Sequence, residues 1–140
     1  MTGRMIYNGI AALIISAASA TAALAQSEPD IDCDSPMTQA EMNICASRDY
    51  ETADAELNTQ YQSVRKVLAE RDSSAGEDGA GAVKALLAAQ RAWIAYRDAN
   101  CEAVGFQARG GSMEPLLVSS CLADMSRKRT EELRSLSEGF

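Results

Sequence analysis

Residues 89–101 read "AQRAWIAYRDANC", and the fold turns on what that segment presents to its neighbours. At helical spacing an apolar stripe begins at Leu86 and Leu87 and continues through Trp93 and Ile94 to Cys101. Gln90 and Arg97 fall inside the same stripe. Burying an isolated guanidinium is costly, so a helix that turns Arg97 inward must meet a carboxylate or carbonyls there.

The flanking segments are helical as well. "TQAE" at 38–41 places Thr38 at an N-cap and Glu41 at N3, a capping box with Pro36 just upstream. From there Met42, Ala46, Tyr50, Ala53, Leu57, Tyr61, Val64 and Leu68 recur at three and four, with no glycine or proline before Gly76. "DSSAGEDGAG", 72–81, is polar and glycine-rich and ends this long first helix. A second helix is expected from about Ala82 to Val104, closed by Gly105 and the pair Gly110-Gly111. Ser112 is the expected N-cap of a third, with Pro115 in its first turn. Its stripe is Val118, Leu122, Met125, Leu133 and Leu136, with Arg129 in line.

No stretch sustains period-two alternation, so the pattern predicts an all-α fold, a small antiparallel three-helix bundle. A hairpin about the 72–81 loop brings Asp54 and Asn58 near the level of Arg97. Asp54, Leu57, Asn58 and Tyr61 also share one helix face. The expectation is a buried polar network in which Arg97 pairs with Asp54, Gln90 and Asn58 complete the hydrogen bonding, and Arg129 needs partners of its own.

Residues 1–25 read as a signal peptide: Arg4 in the n-region, an apolar run from about Ile10 to Leu24, and Ala23-Leu24-Ala25 before Gln26. The apolar run is short and rich in alanine and serine, which disfavours a retained anchor. A lipoprotein needs a cysteine just after the cleavage site, and Cys33 lies too far downstream. The expected product is periplasmic or secreted, with an irregular acidic segment over 26–37 and a helical domain over 38–138. The alternating Glu28, Asp30, Asp32 and Asp34 lack the glycine turn and terminal glutamate of a calcium loop and read as a solvated tail.

Export explains the cysteines. Cys33, Cys45, Cys101 and Cys121 form an even set in an oxidising compartment, which reads as two disulfides. Four cysteines admit three connectivities that sequence does not separate; local pairing, Cys33 with Cys45 and Cys101 with Cys121, is favoured. In the chain-entropy model each such loop contributes about 3 kcal/mol. No CxxC pair and no histidine occurs, which argues against a zinc site, a thioredoxin-like motif or a Ser-His or Cys-His nucleophile. Cleavage after Ala25 removes Arg4 and no acidic residue, moving the net charge from −7 to −8. That balance argues against nucleic acid or anionic membranes and is compatible with a basic partner. Acidic pairs such as Asp98 and Glu102 read as solvated helix-surface charges rather than a hydrolytic dyad. A catalytic pocket of Arg97, Asp54 and Tyr61 is the competing reading.

Taken in order, "TQAEMNICA", "ADAELNTQY", "AQRAWIAYRDANC", "GGS" at 110–112, Cys121 and "SRKRTEEL" at 126–133 resemble the LprI-like family of exported bacterial proteins. That family is named for a mycobacterial lysozyme-inhibitor lipoprotein. The resemblance runs from Cys33 to about Leu136. It implies a non-enzymatic protein, without cofactor or metal, that binds a basic protein such as C-type lysozyme. Arg109, Gly110, Gly111 and Ser112 are then the candidate contact loop, their guanidinium or amides meeting a carboxylate. The alternatives are an envelope interaction or stress protein with another partner and a carboxylate-dependent hydrolase.

Overall fold

Thr38 opens the first helix with the expected reciprocal cap. Its hydroxyl accepts from the Glu41 N–H at 3.2 Å, and the Glu41 carboxylate accepts from the Thr38 N–H at 2.9 Å. Helix α1 then runs Gln39–Ser74, α2 runs Ala82–Gly105, and α3 runs Glu114–Glu138. The computed structural model describes residues 31–139. The expected signal peptide, with residues 26–30 of the acidic segment, lies outside the described residues. Consecutive helices are antiparallel, so α1 and α3 lie parallel and share the most extensive packing. No helix among the described residues is long and apolar enough to cross a membrane.

The α1–α2 connection is tighter than its composition suggests. It holds one 3₁₀ turn, Glu77–Gly79, and is closed by a carboxylate from α1. Asp72 accepts from the N–H groups of Gly81, Ala82 and Val83 at 3.0, 2.9 and 3.0 Å. These are the unpaired donors at the start of α2, whose own N-cap residue, Gly81, has no side chain to offer. α1 therefore supplies the cap of α2.

Along its length the bundle has three tiers. At the loop end Leu57, Tyr61, Val64, Leu68, Leu86 and Leu133 form the apolar core, with Ala82, Val83 and Trp93 packed against it. At the opposite end the chain is stapled by Cys33–Cys45 and Cys101–Cys121, each with Cα atoms 5.5 Å apart, the local pairing. Close approach there depends on Gly105, where a Cβ would sit 2.6 Å from Val118 Cγ2. Between these ends lies Arg97. Its Nη1 donates to Asp54 Oδ1 of α1 at 2.8 Å and to Ser126 Oγ of α3 at 3.2 Å. One guanidinium on α2 thus ties both other helices.

Three expectations need correction. Gln90 and Arg97 are each only 5% exposed, whereas Leu87 and Ile94 are 38% and 39% exposed. The inward line is Leu86, Gln90, Trp93, Arg97, Cys101, and a single step to Leu87 or Ile94 rotates the side chain about 100° off it. On α3 the buried seam is Ala123, Ser126, Thr130 and Leu133, with Leu136 exposed; small side chains suit close packing on α1. Finally, Met113 rather than Ser112 occupies the N-cap of α3. The Ser112 carbonyl accepts from Asn43 Nδ2 of α1 at 2.9 Å, which holds Ser112 in the loop.

Two outcomes follow for stability. Removing one partner of a buried ion pair typically costs about 3–5 kcal/mol. Here Asp54, 33% exposed, keeps part of its hydration, so Arg97→Met is expected to lose about 2–3 kcal/mol in denaturant melts. Arg65→Met, on the exposed outer face of α1, is expected to change stability by less than about 0.5 kcal/mol. The second outcome concerns acid. Backbone N–H donors hold the Asp72, Glu41 and Glu114 carboxyls below their ordinary values of 3.8, 4.5 and 4.5. Stability from a carboxylate depressed by folding is complete above its unfolded pKa and disappears as pH falls through the folded one. The melting temperature should therefore drop on acidification below about pH 4. Asp72→Asn should lower it at neutral pH and flatten that acid dependence, which thermal melts across the acid range would show.

Candidate functional site

The Arg97 layer has the residue types of an active site but the geometry of a strut. Besides Asp54 and Ser126, the guanidinium donates through Nε to Asp98 Oδ1 at 2.9 Å. Its carbon lies 5.4 Å from the Tyr50 ring centroid and 5.2 Å from that of Trp93. Burial pulls the Arg97 pKa down, but the bonds to Asp54 and Asp98 outweigh it and hold the pKa above its usual value. Burial likewise pushes the Tyr50 hydroxyl up, against the opposing pull of Arg97. Both shifts move these two groups away from proton exchange near neutrality. Tyr61, the third member of the competing catalytic reading, is 9% exposed within the apolar core.

The remaining polar residues divide into two groups. Asn58 Nδ2 donates to Asp54 Oδ2 at 2.9 Å and so steadies the carboxylate that receives Arg97. Gln90 does not join them. Its Oε1 accepts from Arg129 Nε at 3.1 Å, about two turns of α2 nearer the apolar core. Arg129 also reaches Glu132 at 2.8 Å and lies 5.8 Å from the Trp93 ring centroid. Trp93 is therefore the shared floor of two cations. Among the described residues no buried side-chain nitrogen or oxygen lacks a partner, and no three Asp, Glu or Cys side chains converge as a metal site requires. Ser126 was not legible as a participant, because a serine in "DMSRK" carries no hydrophobic signal. Its three-and-four spacing with Ala123 and Thr130 is the trace that marks the seam.

At the disulfide end a different surface emerges. The α2–α3 loop makes a 3₁₀ turn, Phe106–Ala108, and reverses at Gly110, whose φ of 78° suits glycine. Phe106 and Met113 are 56% and 48% exposed, and Met37, just before α1 at the same end, is 86% exposed. The Arg109 guanidinium carbon stacks 4.5 Å from the Phe106 ring centroid, and Nη1 donates to Glu114 Oε1 at 2.7 Å. The other Glu114 oxygen accepts from the Gly110 N–H at 2.8 Å, and the Gly111 N–H donates to the Ala108 carbonyl at 2.8 Å. Gly110 and Gly111 thus spend their amides inside the loop, and Ser112 spends its carbonyl on Asn43. What the loop presents outward is the Phe106–Arg109 stack and Met113. The Cys101–Cys121 disulfide and the Asn43–Ser112 bond fasten this platform to α2, α3 and α1.

Comparison with known proteins places this arrangement. The family model described as "Lysozyme inhibitor LprI" matches residues 32–133. An uncharacterized protein of Rhizobium meliloti (strain 1021) is 53% identical over 114 residues, 79% of this chain and 82% of its own length. A crystal structure of a DUF1311 family protein from Pseudomonas putida KT2440 is similar in fold, with a TM-score of 0.63 at 29% identity. That match covers 74% of this chain and 97% of the other. The matched span takes in all four cysteines, the Arg97 layer and the loop from Phe106 to Met113, and the chain belongs to the LprI family of lysozyme-inhibitor proteins.

Proposed function

We propose that this protein is exported and inhibits lysozyme by stoichiometric binding, without catalysis, through its disulfide-stapled end. The observation that carries the reading is the Phe106–Arg109–Met113 platform, a large exposed apolar and cationic surface on a loop already locked in place. Aromatic and arginine side chains dominate interface energetics, and a rigid loop loses little entropy on docking. Lysozyme cleaves between two carboxylates in a cleft, and the exposed guanidinium stacked on Phe106 is opposite in charge to them. Glu114 holds Arg109 in its presented rotamer and yields to the enzyme's carboxylate as the complex forms.

The rest of the surface acts at longer range. C-type lysozymes are basic, and a chain of net charge −7, or −8 after cleavage at Ala25, is steered toward them. Family membership supports the enzyme class of the partner, and the packing of Arg97 between helices supports a structural role for that layer.

Titration of the oxidised protein against C-, G- and I-type lysozymes is the test. The expected result is one-to-one inhibition of the C-type enzyme, with an association rate that falls as salt rises. Phe106→Ala and Arg109→Ala should each weaken it by at least about tenfold without lowering the melting temperature. A flat response across the three enzymes, or inhibition indifferent to both substitutions, would overturn the proposal. Binding to another envelope protein with no effect on lysis would point instead to a different partner.

A further inference from the structure

The bundle leaves Leu87 and Ile94 outside, seven residues apart on α2 and each more than a third exposed. Lys84, Arg91, Asp98 and Glu102, all exposed, continue the same outward seam at three-and-four spacing. Their order runs against the helix that carries them. Both bases lie in its first half and both acids in its second, with no acidic residue in the first turn and no basic residue in the last. A helix dipole favours the reverse. Asp98 and Glu102 are, in addition, like charges at i, i+4, which repel within a single helix. Among the described residues Lys84, Arg91 and Glu102 form no ion pair, whereas every arginine of α3 meets a carboxylate.

We propose that this seam is a dimer interface whose occupant is a second copy of α2 running antiparallel. A two-fold axis near Ile94 sets each basic half against an acidic half and sets the two helix dipoles head to tail. Lys84 then faces Glu102 of the partner subunit, and Arg91 comes within one turn of Asp98 of the partner subunit. Ile94 lies at the axis, and the exposed Ala88 and Ala95 let the two backbones approach closely. Each contact is made twice, as a two-fold interface requires. A uniformly basic or acidic partner satisfies only half of the seam, and an anionic membrane satisfies only Lys84 and Arg91. The net charge of −7 per chain opposes association, so the local complementarity must exceed that repulsion. Because α2 is about 36 Å long, the antiparallel arrangement leaves the two Phe106–Arg109 platforms at opposite ends, both free. The inference does not depend on lysozyme being the partner.

Sedimentation velocity of the oxidised protein purified from its native host, from low to high micromolar, decides the matter. A concentration-dependent monomer–dimer equilibrium is expected. Ile94→Asp should abolish the dimer while far-UV circular dichroism and melting temperature stay unchanged. Lys84→Glu and Glu102→Lys should each weaken association by at least about tenfold, and the two together should restore it. A monomer at every concentration, a dimer indifferent to Ile94→Asp, or a double variant no better than the single ones would overturn the proposal.

Discussion

One guanidinium sets the arrangement of this bundle. The main apolar cluster is small, six buried side chains toward the loop end. Alanine-rich α2 offers little shape by which to choose its register against α1 and α3. Arg97 supplies the choice, because its Nη1 must reach Asp54 and Ser126 together, and a shift by one turn leaves that nitrogen buried without either, with only the neighbouring Asp98 still bonded to Nε. A polar contact of this kind restricts the alternatives that alanine and leucine packing would tolerate. The disulfides add to this by limiting the unfolded chain and by fixing the far end, which lies outside the six-residue cluster.

Much of this was legible from spacing. The capping box, the long first helix and the level of Asp54 opposite Arg97 all follow from helical periodicity and a hairpin about 72–81. What was not legible depends on neighbours. Gln90 sits in the same stripe as Arg97, yet it bonds Arg129, because that cation lies level with it on a helix whose register sequence does not give. Leu87 and Ile94 read as core since hydrophobicity sets an expectation of burial, while helix rotation decides it. The α3 seam escaped because Ala123, Ser126 and Thr130 are not apolar enough to register. Asp72 escaped because its cap acts on another helix; the glycine at position 81 was the trace, marking a helix start with no cap of its own.

Packing and exposure separate cleanly in this fold. The polar residues of the helix stripes are spent holding helices together, and the surface we propose for recognition is the stapled end, where Phe106, Arg109 and Met113 are exposed. Its loop is internally hydrogen-bonded through Glu114, so rigidity resides in the same residues that face outward. Membership of the LprI family supports the lysozyme reading proposed for this platform. The outward seam of α2 is a second surface on the opposite side of the strut from the bundle interior, and among the described residues its Lys84, Arg91 and Glu102 form no ion pair, while Asp98 meets Arg97.

The account rests on direct coupling between Arg97 and Asp54, and a double-mutant cycle measures that coupling. Arg97→Met, Asp54→Leu and the double variant would be unfolded in denaturant alongside the parent protein. The account predicts a coupling energy of about 1.5 kcal/mol or more, with the double variant more stable than the sum of the single losses allows. Additivity within about 0.5 kcal/mol, as for an exposed ion pair, would contradict it.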